Sequence, residues 1–498
     1  MRARIVAGVC AAMLVRAAAA QTTASAGVAS VVAPGQASCE GLRAVRVDGM
    51  TVTQAERVAA GEKARYPGLP AFCQVAATLR PTSDSEIKIE VWMPEGAAWN
   101  GKYKGTGNGG WGGAIEPGEL AAGVRHGYAT ASTDTGHEGA SASFAMGHPE
   151  KLVDFGYRSV HGMTVAAKAL IAAYYGKGAK LAYFQGCSSG GRQALMEAQR
   201  YPEDYDGIVA GSATNNFTKM MFGRIWVGQA TLSDPASYIP PAKYPMIHQA
   251  ALEACDAMDG VKDGVLDEPL KCRFDPGVLE CKAGDGADCL TKPQVEAARR
   301  IYTPATNSRT GEVVFPPMER GSELVWGRLA GGPAPIQLAD DYFKFVVFED
   351  PKWDFRTLNF DGDVAKAMKQ DGGILSATDA DLRPFFAHGG KLVQYHGWTD
   401  QQVMPENSIN YYKSVVATVG QAKVDASYRL FMAPGMNHWG AGTDRMHSTC
   451  WVCWRVGARR GGTGGGDCVA SDGREGGPDA AAVCVSDGGQ VQRGGKRG

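Results

Sequence analysis

The sequence predicts an α/β fold, a largely parallel sheet interrupted by a large inserted lid. Strand-like and helix-like stretches alternate from Val160 to Val209, the alternation stops between about Thr214 and Pro384, and it resumes from Lys391 to Met432. In order along the chain, Val75 to Leu79 and Ile87 to Met93 read as a hairpin, the second strand setting Ile87, Ile89, Val91 and Met93 on one face. Gly107-Asn108-Gly109-Gly110-Trp111-Gly112-Gly113 is too rich in glycine for an element interior and suits a loop whose amides approach a ligand. A helix-period stretch from Val160 to Tyr175 leads to the apolar run Leu181 to Phe184, a sharp turn, a helix over Gly190 to Arg200 and a strand over Gly207 to Val209. After the interruption come a strand over Lys391 to His396, a helix over Pro405 to Val419 and a strand over Tyr428 to Met432. The main domain is therefore expected to be discontinuous, residues 21–213 and 385–439, with a lid over 214–384. The lid carries Trp226, Trp326, Tyr342, Phe343, Phe345, Phe348, Trp353 and Phe355, expected first in its own core and second as a clamp on an aromatic ring.

A chain of 498 residues, 44% hydrophobic and 21% charged, has apolar material for one large or two ordinary cores. Lys and Arg number 51 against 52 Asp and Glu, a formal net charge of -1, which argues against an electrostatic grip on nucleic acid or anionic membrane and points to small substrates. Met1-Arg2-Ala3-Arg4, an apolar run from Ile5 to Val15 and the alanines Ala17 to Ala20 fit a secretory signal over residues 1–20. No other stretch approaches the roughly 18 apolar residues that span a bilayer. The protein is expected to be secreted or periplasmic and to bind no membrane. Outside the signal, 11 cysteines remain, an odd number for a disulfide-permissive compartment. Cys255 with Cys272 and Cys281 with Cys289 read as short local bridges, and Cys39 with Cys73 as a tie on the N-terminal segment, although sequence alone leaves the pairing open.

Gly186-Cys187-Ser188-Ser189-Gly190-Gly191 sits where a strand meets a helix, the context of a nucleophile elbow. A serine hydroxyl needs an imidazole to take its proton and a carboxylate to orient that imidazole. Asp400, in His396-Gly397-Trp398-Thr399-Asp400, and His438, in Pro434-Gly435-Met436-Asn437-His438, each lie just past the end of a later strand. The order Ser188, Asp400, His438 is that of α/β-hydrolases. His396 and Asp134 compete for these roles. His396 precedes its turn and reads as structural, and Asp134 precedes the serine in the chain. The N–H of Ser189 and one from the Gly107 to Gly113 loop, Gly110 for preference, are the expected oxyanion donors.

Cys255-Asp256-Ala257-Met258-Asp259-Gly260-Val261-Lys262-Asp263-Gly264-Val265-Leu266-Asp267 brings carboxylates three to four residues apart with glycines that let the loop turn. Oxygen donors at that spacing suit calcium, with backbone carbonyls completing the shell, although the spacing is not that of an EF-hand. The ion is expected to be structural.

On these motifs, and on Trp353-Asp354-Phe355 between them, the chain from about Cys39 to His438 resembles the tannase and feruloyl esterase family, which also contains the hydrolase of mono(2-hydroxyethyl) terephthalate. The resemblance implies an α/β-hydrolase fold with a calcium-holding lid and cleavage of aromatic carboxylic esters. It matches Ser188, Asp400 and His438 to the triad, and Asp256, Asp259, Val261, Asp263 and Val265 to the calcium ligands, the valines through their carbonyls. It also implies a bridge from the cysteine before the nucleophile to one directly after the histidine. Here Cys187 is present, but position 439 is Trp439.

Beyond Trp439 the chain contains no Leu, Ile, Phe or Tyr from which to build a closing amphipathic helix. Back-translating Asp444 to Trp454 from the third base of the Asp444 codon permits Pro-Asp-Ala-Phe-Asp-Met-Leu-Gly-Val-Leu, an amphipathic start. A one-base frameshift near codon 439 is therefore the hypothesis for residues 440–498, to be checked by a genomic read and an intact mass. The rival is a genuine Gly-rich tail with a bridge from Cys187 to Cys450 or Cys453. The expected function is an exported serine esterase acting on feruloyl or other hydroxycinnamoyl esters, with gallate esters second and terephthalate monoesters third. The rivals are a catalytically impaired phenolic-ester binder and a serine peptidase on the same fold. Oligomeric state is not legible.

Overall fold

The computed structural model describes residues 37–438 and the backbone of two short strands, 483–486 and 490–492. The expected signal over 1–20, Trp439 and most of the tail lie outside the described residues. In chain order the strands are β1 (Met50–Val58), β2 (Phe72–Leu79), β3 (Ile87–Pro94), β4 (Lys102–Thr106), β5 (Ala129–Thr133), β6 (Leu181–Cys187), β7 (Gly207–Gly211), β8 (Ala305–Thr306), β9 (Val313–Phe315), β10 (Lys391–Gly397), β11 (Tyr428–Ala433), β12 (Val483–Ser486) and β13 (Gln490–Gln492).

Eleven of them form one sheet in the order β1-β2-β3-β5-β4-β6-β7-β10-β11-β12-β13. The hairpin expected from alternation is β2 and β3, antiparallel with Val75 opposite Val91. From β5 through β11 the neighbours run parallel. The strand crossings put helices on the faces, and the buried strands are accordingly short and apolar or small. The helix Ser159–Tyr175 buries Val160, Met163, Ala167, Leu170 and Ile171, and it ends at Gly176 with φ 66°, a left-handed C-cap. Those side chains pack with Val75, Ile89, Phe184 and Leu195 in one core.

Between β7 and β10 the chain adds no strand to the main sheet among the described residues, and it pairs only β8 with β9. This segment builds a second core, which takes in Phe222, Trp326, Tyr342, Phe343, Trp353 and Phe355 and is shared with Trp111, Phe155 and Val403 from outside the segment. The expectation that its aromatics serve that core holds for these residues, and Phe343 stacks on Trp353. The helix Phe217–Leu232 is the spine of this core and is buried nearly all round, its Arg224 included.

The expected bridges are formed. Cys39–Cys73, Cys255–Cys272 and Cys281–Cys289 hold Cα atoms 5.6, 5.5 and 4.9 Å apart. No helix of the described residues is long and apolar enough to cross a membrane.

Candidate active site

The register of the parallel strands brings their C-terminal ends to one edge. Thr106 pairs with Gln185, Cys187 with Gly211, Gly211 with Tyr395, and Gly397 with Ala433. The turns that follow β4, β6, β10 and β11 therefore open side by side, and they hold Gly110, Ser188, Asp400 and His438.

Ser188 stands between β6 and the helix Ser189–Arg200 with φ 63° and ψ -120°, a left-handed conformation that non-glycine residues adopt at a cost. Backbone bonds hold it there. Its N–H donates to Gly211 O at 2.9 Å, and its carbonyl accepts from the N–H of Arg192 at 3.1 Å and of Thr214 at 3.2 Å. The turn closes because its flanks lack side chains: a Cβ on Gly186 would lie 2.4 Å from the Gly190 carbonyl, and one on Gly191 would lie 2.4 Å from Gly211 O.

His438 sets Nδ1 2.7 Å from Asp400 Oδ2, and its N–H donates to Gln401 Oε1 at 3.1 Å. The second oxygen of Asp400 accepts from the N–H groups of Gln402 and Val403, both at 2.8 Å. Burial works to raise the Asp400 carboxyl, but His438 and His396 outweigh it and hold the group well below the ordinary carboxylate range, so it is an anion. Arg224 donates from Nε to Gln402 O at 2.9 Å. Burial pushes its guanidinium down to about 10, with the Asp400 charge opposing. The serine and histidine turns touch, since Cys187 sets its thiol 3.8 Å from the carbonyl oxygen of His438. Ser188 and His438 are both buried.

The two expected oxyanion residues also meet. Ser189 Oγ donates to Gly110 O at 2.8 Å, and Gly110 turns with φ 59°. Sequence reasoning missed what fixes this loop. Asn108 N–H donates to Gln193 Oε1 at 2.9 Å, and its amide donates to Ala114 O and Thr133 O. Trp111 Nε1 donates to Leu338 O across the inserted segment at 3.0 Å.

Of the competitors, Asp134 caps a turn, accepting from Lys88 N and Gly136 N, and burial lifts it to about 6. His396 is buried beside Asp400, with Nδ1 against Ser408 Oγ and Nε2 against Val403 O and Asp400 Oδ2, so both its ring nitrogens are engaged away from the base role read for His438.

The candidate cation loop folds back on itself. Asp256 Oδ2 accepts from Gly264 N, Asp259 Oδ1 from Val261 N, and Asp263 Oδ1 from Val265 N. Asp256 Oδ1 is buried with no hydrogen-bond partner among the described residues. A small cavity there is lined by Asp256 and Asp259 of the five expected positions and by Asp267 and Glu268, which the sequence reading had not included as ligands. The loop packs near the histidine turn: a Cβ on Gly435 would lie 3.4 Å from both methyl carbons of Val265.

A family model described as tannase and feruloyl esterase matches residues 73–450. An uncharacterized esterase of Xanthomonas campestris pv. campestris is 38% identical over 458 residues, 85% of this chain and 79% of that protein. A probable feruloyl esterase B-2 of Aspergillus terreus is 36% identical over 375 residues, 74% of this chain and 70% of that protein. Among solved structures, feruloyl esterase B from Aspergillus oryzae superposes with a TM-score of 0.76 at 31% identity, covering 82% of this chain and 86% of that one. Tannin acyl hydrolase from Aspergillus niger shares the fold, with a TM-score of 0.68 at 22% identity over 90% of this chain and 88% of that one.

Proposed function

The chain belongs to the tannase and feruloyl esterase family and is a carboxylic ester hydrolase, and from that premise we propose that it cleaves phenolic esters, feruloyl esters foremost, through an acyl-enzyme on Ser188. The observation that carries the reading is the 2.7 Å contact of His438 Nδ1 with the Asp400 anion, beside the strained serine turn. That contact puts the ring proton on Nδ1 and leaves Nε2 as the base. Ser188 Oγ attacks the ester carbon as its proton passes to His438. The N–H groups of Ser189 and Gly110 receive the negative charge on the carbonyl oxygen. Collapse of this intermediate expels the alcohol, which takes the proton from His438. Water then repeats the sequence with His438 as base and releases the acid.

Feruloyl esters are placed before gallate esters because the relatives named feruloyl esterase reach 36% and 31% identity, whereas the tannin acyl hydrolase, at 22%, supports the fold alone. Hydrolysis of methyl ferulate, methyl gallate, mono(2-hydroxyethyl) terephthalate and a peptide panel tests this order. The highest kcat/KM is expected for ferulate; a preference for gallate overturns the substrate class, and cleavage of peptides alone overturns the esterase reading.

Calcium belongs to the same proposal as a structural ion held by Asp256, Asp259 and Asp263 with the carbonyls of Val261 and Val265. The all-oxygen donor set and the orphaned Asp256 Oδ1 suit a hard cation, which supplies charge neutralisation to the loop. Removal of calcium by EGTA is expected to lower Tm by on the order of 5 °C, restored by calcium in the parent chain but not in Asp256→Ala. Calcium-independent unfolding of the parent would contradict it. The leader-like N-terminus and the three disulfides support a secreted or periplasmic location.

A further inference from the structure

Asp400 is held by a second imidazole as well as by His438. His396, near the end of β10, sets Nε2 3.1 Å from Asp400 Oδ2 and 2.9 Å from the carbonyl of Val403. Both neighbours only accept, so Nε2 carries a proton. Nδ1 lies 2.7 Å from Ser408 Oγ, which lies 2.8 Å from Gln394 Nε2. The other end of that amide, Gln394 Oε1, accepts from the Tyr428 hydroxyl.

The donors run one way: Tyr428 O–H to Gln394, Gln394 N–H to Ser408, Ser408 O–H to His396 Nδ1, and His396 Nε2–H to Asp400. All four side chains are buried, and burial holds the Tyr428 phenol well above its ordinary value, so the donor at the head of the chain stays protonated. With Gln394 occupying Ser408 as a donor, the serine proton is directed at Nδ1, and a neutral His396 satisfies every group in the chain.

Resting on the triad reading above, we propose that His396 is a positioning residue, locked as its neutral Nε2–H tautomer by Ser408, Gln394 and Tyr428, and that its donation to Asp400 sets how strongly Asp400 pairs with His438. The charge of Asp400 is shared between two imidazole donors and two backbone N–H groups. Without the His396 donor, more of that charge rests on His438 and the His438 imidazolium becomes more stable. The ionisable groups acting on Asp400 are His396 from β10, His438 from the turn after β11 and Arg224 from the helix Phe217–Leu232. Arg224 keeps its bond to Gln402 O in the variants below.

The test compares His396→Leu, His396→Gln and Ser408→Ala in the full chain by the pH profile of kcat/KM, by Tm, and by the low-field proton resonance of His438 Nδ1–H. His396→Leu is expected to move the acid limb up by about one pH unit with KM little changed, and to move the resonance with it. His396→Gln, whose amide keeps a donor toward Asp400, is expected to return the limb to its parent position. Ser408→Ala, which unlocks the tautomer, shifts the limb upward by less. A limb and resonance at the parent position in His396→Leu overturns the proposal, as does a His396→Gln profile displaced like that of leucine. If His396→Leu does not fold, Ser408→Ala decides by the same two readouts. A parent chain that turns over no ester defeats the triad reading instead, and the resonance still tests the donation from His396.

Discussion

Replacing Ser188 with alanine is expected to lower kcat about a millionfold while the chain stays folded. The size of the loss follows from the nucleophile's position in the chemistry: without Oγ, the positioned imidazole and the oxyanion donors have nothing to activate. The fold survives because nothing that holds the turn belongs to the hydroxyl. Ser188 N–H bonds Gly211 O, and the N–H groups of Arg192 and Thr214 bond its carbonyl. The strain at φ 63° is set by the presence of a Cβ, which alanine keeps. Methyl ferulate hydrolysis by both proteins, with thermal unfolding of each, checks this. Appreciable turnover by a folded Ser188→Ala protein would remove Ser188 from the mechanism.

Asp400→Asn is expected to lower kcat about ten-thousandfold. The reason is legible in its four hydrogen bonds. One oxygen accepts from two backbone N–H groups, and the other lies against the two imidazoles. Asparagine has one oxygen and one NH2. If the NH2 faces Gln402 and Val403, donors meet donors; if it faces His438, the ring must present a bare Nδ1 and carry its proton on Nε2, the atom that should act as base. Either placement also removes the anion that stabilises the imidazolium. The pH profile of the residual activity separates this from simple unfolding. A loss below about tenfold would mean that Asp400 does not orient the base.

The candidate site was legible in the sequence because each proposed catalytic residue lies just past the end of a strand. The run Leu181 to Phe184 marked β6, and the apolar stretches before Asp400 and His438 marked β10 and β11, so three distant loops could be assigned to one sheet edge. Other elements carried weaker signals. In β1 only Met50, Ala55 and Val58 are buried, and a register shift between Val52 and Gln54 breaks the alternation. In β4 and β5 the buried residues are largely Thr, Ser, Ala and Gly, which fit between close neighbours but do not read as an apolar strand. The bond of Asn108 to Gln193 spans 85 residues and has no local spacing to announce it. His396 was read as structural. It is buried, but Ser408 in the first turn of the next helix and Gln394 two residues back aim it at Asp400, a relation that appears only once β10 and that helix are packed together.

The most direct test of the central claim, an acyl-enzyme on Ser188, is rapid quenching of the reaction with methyl ferulate followed by mass analysis of the digested chain. The account predicts a feruloyl increment on the peptide containing Ser188, at most one per chain, and none in Ser188→Ala. An increment on a different residue, or single-turnover hydrolysis in which water oxygen enters the acid with no labelled peptide at any quench time, would contradict it.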